Sequence, residues 1–284
     1  MSEVATYNGM TTEQLMSAMG GYHEGSASGA GNKDRMPILK VNYHDSDDDG
    51  NALKKGDFLL TTPDGNAYGK DVTLRVYGDW MQYMQFSDSG LVNKTIVHRV
   101  GDIPIDRSGG IRCGKPASKD FNAMMDEEKA RFADIKCYRH LYATVTIADA
   151  KNSVGDSVEV QDVPCLLSLK GLSFMPFSTD VLEPCRAQRL AFQQVYCKPS
   201  TTQRKKGSVT FFTVSFEPDF SKIMTMDTSA YNLMAKFLEV VNLENKQVIK
   251  SHNEALYERQ EESNDSEVVS EVQDYLDADF KESA

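Results

Sequence analysis

Tyr138-Arg139-His140-Leu141-Tyr142-Ala143-Thr144-Val145-Thr146-Ile147-Ala148 decides the fold class, because it reads as a strand more firmly than any other stretch of the chain. Six of its eleven residues are β-branched or aromatic, types that suit a pleated, half-buried surface, and no Gly or Pro interrupts them. Val158–Leu169 continues in the same style after a Gly-Asp turn. Working outward, Ile38–Tyr43 and Phe58–Thr62 read as strands flanking a turn-rich acidic loop that ends in Gly50. Pro63-Asp64-Gly65 signals a turn, followed by Val72–Tyr77 and Trp80–Phe86. Ile96–Val100 is a short apolar run, and Ser208–Phe216 is a further strand. Helical patterns cover Phe121–Phe132 behind a capping Asp120, Leu182–Tyr196 with Pro184 in its first turn, and Thr228–Asn242. The last places Tyr231, Met234, Phe237, Leu238 and Val241 on one side. Strands come in pairs without regular βαβ alternation. The expected class is therefore α+β, a mainly antiparallel sheet with two or three helices, its closure into an OB-type barrel left open.

The ends differ from this body. Residues 1–36 are rich in Gly, Ser, Ala and Met and predict a mobile arm with at most one short helix at Thr11–Met19. Residues 37–250 form one predicted body, and 251–284 an acidic tail. The net charge of −11 is unevenly placed: Glu254 to Ala284 carries eleven acids and two bases, leaving 31 acids and 29 bases before it. Two stretches of the body are basic, Leu91–Lys119 with six bases to two acids and Val181–Thr210 with six to one. An acidic total thus does not exclude a nucleic-acid partner.

No run reaches the roughly 18 apolar residues needed to cross a bilayer, and the N-terminus lacks the pattern of a secretory signal. Five widely spaced cysteines favour reduced thiols and a cytoplasmic location over a disulfide framework. Asp45-Ser46-Asp47-Asp48-Asp49-Gly50 opens like a calcium loop, but its twelfth position is Gly56 rather than a bidentate carboxylate. Cys137 and His140 have the spacing of half a zinc site with no second pair, and an offset of three faces them oppositely on a strand. No nucleophile elbow, phosphate-binding loop or zinc-protease helix motif occurs. The expectation is a protein that is not an enzyme and uses neither metal nor other cofactor.

Two groups of residues suit nucleic acid. Tyr77, Trp80 and Tyr83, with Tyr142, supply rings on which bases could stack, with Arg75 beside them as a basic contact; ordinary core aromatics are the plain alternative. Lys94, Arg99, Arg107, Arg112, Lys115 and Lys119 surround the flexible Gly109-Gly110, and Arg204-Lys205-Lys206-Gly207 reads as a basic turn before a strand. All would track phosphates; solvated loop charge is the plain alternative. In the tail, Tyr275, Leu276, Asp277, Asp279 and Phe280 set apolar residues among carboxylates, which suits a phosphate mimic or a hook for partner proteins.

This layout of arm, mixed β body and acidic tail with a near-terminal Phe280 resembles the single-stranded DNA-binding proteins of bacterial viruses, although four residues follow the Phe. Leu39–Tyr43, Ile111–Lys115 and Leu141–Val145 are similar to segments of phage proteins, including the Drc-type DNA-binding transcription cofactors of N4-like phages. The resemblance implies single-stranded DNA binding in the cytoplasm of an infected bacterium, supporting phage replication or transcription. It also implies a homo-oligomer whose tail competes with DNA and recruits phage replication or transcription proteins. An interaction or assembly factor that binds no nucleic acid is the alternative.

Overall fold

The computed structural model describes residues 36–46, 50 and 52–282, with side chains through Glu261. The expected arm and its helix at Thr11–Met19 therefore lie outside the described residues, and order is seen from Met36 onward. The strands are β1 (Ile38–Val41), β2 (Phe58–Thr62), β3 (Gly65–Gly69), β4 (Val72–Ser87), β5 (Gly90–Lys94), β6 (Ile135–Ile147), β7 (Val160–Leu169), β8 (Tyr196–Lys206) and β9 (Val209–Asp219). They form one sheet in the order β3-β2-β1-β7-β6-β4-β8-β9, with β5 beside β4. Pairing is antiparallel in β1–β2, β2–β3, β6–β7, β4–β8 and β8–β9, and parallel between β1 and β7. The α+β class with a mainly antiparallel sheet is what the strand pairs predict.

The chain divides into two compact units, residues 1–82 with 137–243 and residues 83–136 with 244–284. In the first unit the core gathers Leu39, Phe58, Leu60, Leu74, Leu141, Val145 and Leu167. A π-helical turn at Phe177–Leu182 runs into α3 (Glu183–Ala187) and adds Phe177, Val181 and Cys185 to it. Each fully buried large side chain contributes about 1.5–3 kcal/mol by leaving water. The helix expected at Leu182–Tyr196 is thus much shorter. Arg189 takes a left-handed φ of 58°, and the Leu190 N–H bonds back to the Cys185 carbonyl, which closes the helix. Tyr196 then belongs to β8.

In the second unit the helix expected at Phe121–Phe132 is two pieces, α1 (Ser118–Ala123) and α2 (Asp126–Ala130). Met124 and Met125 are extended between them, and the Glu128 carboxylate accepts the Met125 N–H at 2.9 Å, restarting the helix.

The final helix, α4 (Thr228–Glu282), begins where Asp227 Oδ1 accepts the Ala230 N–H at 2.8 Å. In the first unit it buries Ala230, Leu233, Phe237 and Val241, while Tyr231 and Leu238, expected inside, are exposed. In the second unit it buries Val248 and spends the Asn245 amide on the Val97 backbone, at 2.7 and 2.9 Å. The helix runs on through residue 251, where the acidic tail was expected to begin.

Candidate nucleic-acid interface

The residues expected to stack bases from the first unit are structural instead. Tyr77 and Tyr142 are buried against Phe237, with ring centroids 6.0 and 5.6 Å away, so α4 occupies the faces that bases would need. Arg75, also buried, donates to the Gln193 and Thr225 carbonyls at 2.8 and 3.1 Å and lies 5.1 Å from the Tyr77 ring. Trp80 is half-buried, edge-on to Tyr142, and its ring occupies the space above Gly78, where a Cβ would come within 1.9 Å. A long β-rich run of aromatics was legible; that a helix would cover it was not.

The same correction applies to part of the second unit. Tyr83 lies parallel to His98, 5.9 Å between centroids, and the Arg112 guanidinium is 6.0 Å from its ring. Lys94 is ion-paired with Glu244. Lys115 sits 4.6 Å from the Phe121 ring and donates to the Ile135 carbonyl at 3.3 Å. Arg99 and Lys119 are exposed and Arg107 half-buried, and the side chains of these three make no ion pair or hydrogen bond among the described residues.

The Gly109-Gly110 loop, expected to be flexible, is tied down by Asp106. This fully buried carboxylate accepts the Ser108 N–H and hydroxyl at 2.9 and 2.7 Å, the Gly110 N–H at 3.1 Å and the Cys113 N–H at 2.8 Å. Burial would raise its pKa, but these bonds and the Asn93 amide hold it below the usual carboxylate value. His252 and Arg259 of α4 meet the Asp106 and Ser108 carbonyls. Arg112 and Cys113 adopt left-handed φ values of 50° and 56° within this frame. Burial, reinforced by the Asp106 charge, pushes the Cys113 thiol up to about 12, which disfavours a reactive thiolate.

His98 gives this unit a pH dependence. Burial lowers its pKa, a hydrogen bond to the Arg99 carbonyl and the Asp102 charge oppose this, and Arg112 adds to the lowering. The folded pKa is thus below the unfolded one, so the stabilisation is complete above about pH 6.5 and declines as pH falls. Urea unfolding followed at about pH 7.5 and about pH 5.5 should show lower stability at the acidic value, and His98→Phe should reduce that difference. Equal pH dependence in parent and variant contradicts this assignment.

Arg204, Lys205 and Lys206 stand differently. They end β8 rather than forming a turn; the turn is Gly207-Ser208, with Gly207 at φ 61° in the first loop position, as a type II′ hairpin asks. Strands β8 and β9 pair without a bulge from Tyr196↔Asp219 to Lys206↔Val209. Their Thr, Val and Phe content supports the ladder, and residues 202–210 are all exposed. Strand alternation puts Lys198, Arg204 and Lys206 on one face and Lys205 on the other. Opposite Arg204 on that first face is Phe211, and opposite Lys206 is Val209. From Lys198 to Phe216 there are four bases and no acid. None of the four makes an ion pair or hydrogen bond among the described residues.

The base of the hairpin is held rigidly. Ser173 Oγ accepts the Val214 N–H at 3.0 Å and the Asp180 carboxylate accepts the Phe216 N–H at 3.1 Å, closing the outer edge of β9. Phe212, on the opposite face, packs over Gly56 and edge-on to Tyr43 at 5.6 Å. Lys198 and Phe211 escaped the sequence reading. The signal for them was the alternation on both sides of Gly207, visible only once β8 is recognised as a strand.

Comparison with known proteins adds no relative: no family model, no curated protein and no solved structure matches the chain. Among the described residues no group of three or more His, Cys, Asp or Glu is placed to hold a metal. Both nitrogens of His140 are engaged, by Ser168 Oγ at 2.9 Å and Gln82 Oε1 at 3.2 Å, and Asp45 pairs with Lys55 at 2.6 Å. No described helix is long and apolar enough to cross a membrane. The side chains of Tyr275, Leu276, Asp277, Asp279 and Phe280 lie outside those described; their backbone belongs to α4.

Proposed function

We propose that the chain is a non-enzymatic, largely sequence-independent single-stranded DNA-binding protein of a bacteriophage, and that the β8–β9 hairpin is its principal DNA contact. The observation carrying this reading is the hairpin's basic end: Arg204, Lys205 and Lys206 exposed at the tip of a rigidly based ribbon, with no acid until Glu217, which stands opposite Lys198 further down. Unpaired bases on a solvent-facing, bulge-free ladder suit phosphates, whose binding is sequence-independent. Arg99, Arg107 and Lys119 of the second unit are secondary contacts. Tyr77, Tyr142 and Arg75 have no part in it. The acidic residues late in α4 act as a competitor for the bases and as a hook for replication or transcription partners, in a homo-oligomer in the host cytoplasm.

A labelled oligothymidine and a duplex of equal length, titrated at two salt concentrations, test the proposal. Log affinity for the single strand should fall with log salt at about −0.7 per phosphate contacted, so the three or four hairpin bases alone give a slope near −2 to −3, made steeper by the secondary contacts. Removal of residues 262–284, which spares Arg259 and its contact with Ser108, should tighten binding. A chain that binds neither oligonucleotide at low salt is the interaction or assembly factor of the alternative reading.

A further inference from the structure

Resting on the hairpin reading above, we infer that Phe211 and Arg204 form a nucleotide clamp, the ring stacking under an unpaired base while the guanidinium holds a neighbouring phosphate. Phe211 is half-buried on the same face as Lys198, Arg204 and Lys206, directly opposite Arg204 in the ladder. Directly opposed side chains start about 5 Å apart, and alternate residues along a strand are roughly 7 Å apart, so ring and bases are within one nucleotide's reach.

Several other rings of this unit are engaged with one another. Phe212 meets Tyr43, Phe177 meets Phe192 and Phe216, and Tyr77 and Tyr142 meet Phe237. Phe211 has no aromatic partner and no cation over its ring among the described residues. Phe212 on the opposite face makes the contacts that anchor the hairpin, over Gly56 and edge-on to Tyr43. Thr213 and Thr202 beside Phe211 show that this position could carry a polar strand-forming residue.

The ligand class follows from the ring. A base inside a duplex is already stacked on both sides and offers Phe211 no face. An unpaired base does, whatever its identity, because every base has a π-face. The clamp therefore selects single strands over duplex, and does so without reading sequence.

The test compares the full chain with Phe211→Ala, Phe211→Tyr and the double variant Arg204→Ala/Lys206→Ala, titrating labelled oligothymidine at low and raised salt. Phe211→Ala should bind about tenfold more weakly at both salts with an unchanged salt slope, whereas Phe211→Tyr should stay within about twofold of the parent. The double variant should instead flatten the slope by about 1.4. Phe211→Ala binding as the parent does, while the double variant weakens, overturns the clamp and leaves the hairpin reading standing; a parent that binds no oligothymidine overturns both. Photocrosslinking of parent to 5-iodouracil-substituted oligonucleotide needs no variant: an adduct on Phe211 supports the clamp, and adducts confined to other peptides overturn it.

Discussion

Arg139→Met is expected to lower the unfolding free energy by about 3–5 kcal/mol, the usual result of stranding one partner of a buried ion pair. Arg139 is 1% exposed and holds the Asp79 carboxylate with two parallel bonds of 2.7 and 2.6 Å. Its remaining nitrogen donates to the Phe174 carbonyl at 3.0 Å and Ser178 Oγ at 2.7 Å, and the guanidinium lies 5.0 Å from the Phe177 ring. One side chain thus ties β6 to β4 and to the entry of the π-helical turn. Methionine fills the stem's volume but leaves Asp79 charged and desolvated. Adding Asp79→Leu should recover most of the loss, because an apolar pair of similar volume carries no such penalty. Urea unfolding monitored by circular dichroism checks both; a loss below about 1 kcal/mol for Arg139→Met contradicts the assignment.

Asp106→Ala should cost about 3 kcal/mol and act locally. Three backbone N–H groups and one hydroxyl lose their acceptor at once, in a loop containing two left-handed non-glycine residues. The amides of Ser108, Gly110 and Cys113 should then exchange with solvent far faster, while those of β6 and β7 keep their protection. Unchanged exchange at these three amides would show that His252 and Arg259 suffice to hold the loop.

How much of this was legible depended on whether the deciding signal was local. The strand at Tyr138–Ala148, its partner at Val158–Leu169 and the turn at Pro63-Asp64-Gly65 were readable because periodicity and turn chemistry sit within a few residues; the strands appear at Ile135–Ile147 and Val160–Leu169. Helix ends were not, since Arg189 closes α3 in a conformation usually left to glycine and Glu128 caps a helix that the pattern ran through. Burial was the hardest property. Tyr77, Tyr142 and Arg75 look like a binding platform in one dimension, and only the docking of Phe237 makes them core. Arg204-Lys205-Lys206 were recognised as basic and exposed, but their division between two faces depends on register, as does the position of Phe211 opposite Arg204.

The central claim is that the hairpin holds single-stranded DNA, and reversing its charge tests it most directly. Arg204→Glu, Lys205→Glu and Lys206→Glu together leave the ladder and the buried face of the hairpin intact, so the melting temperature should stay that of the parent. Affinity for oligothymidine at about 50 mM salt should fall on the order of 100-fold or more, with a flatter salt dependence. An equally stable triple variant that binds oligothymidine as tightly as the parent, with the same salt slope, would contradict the account.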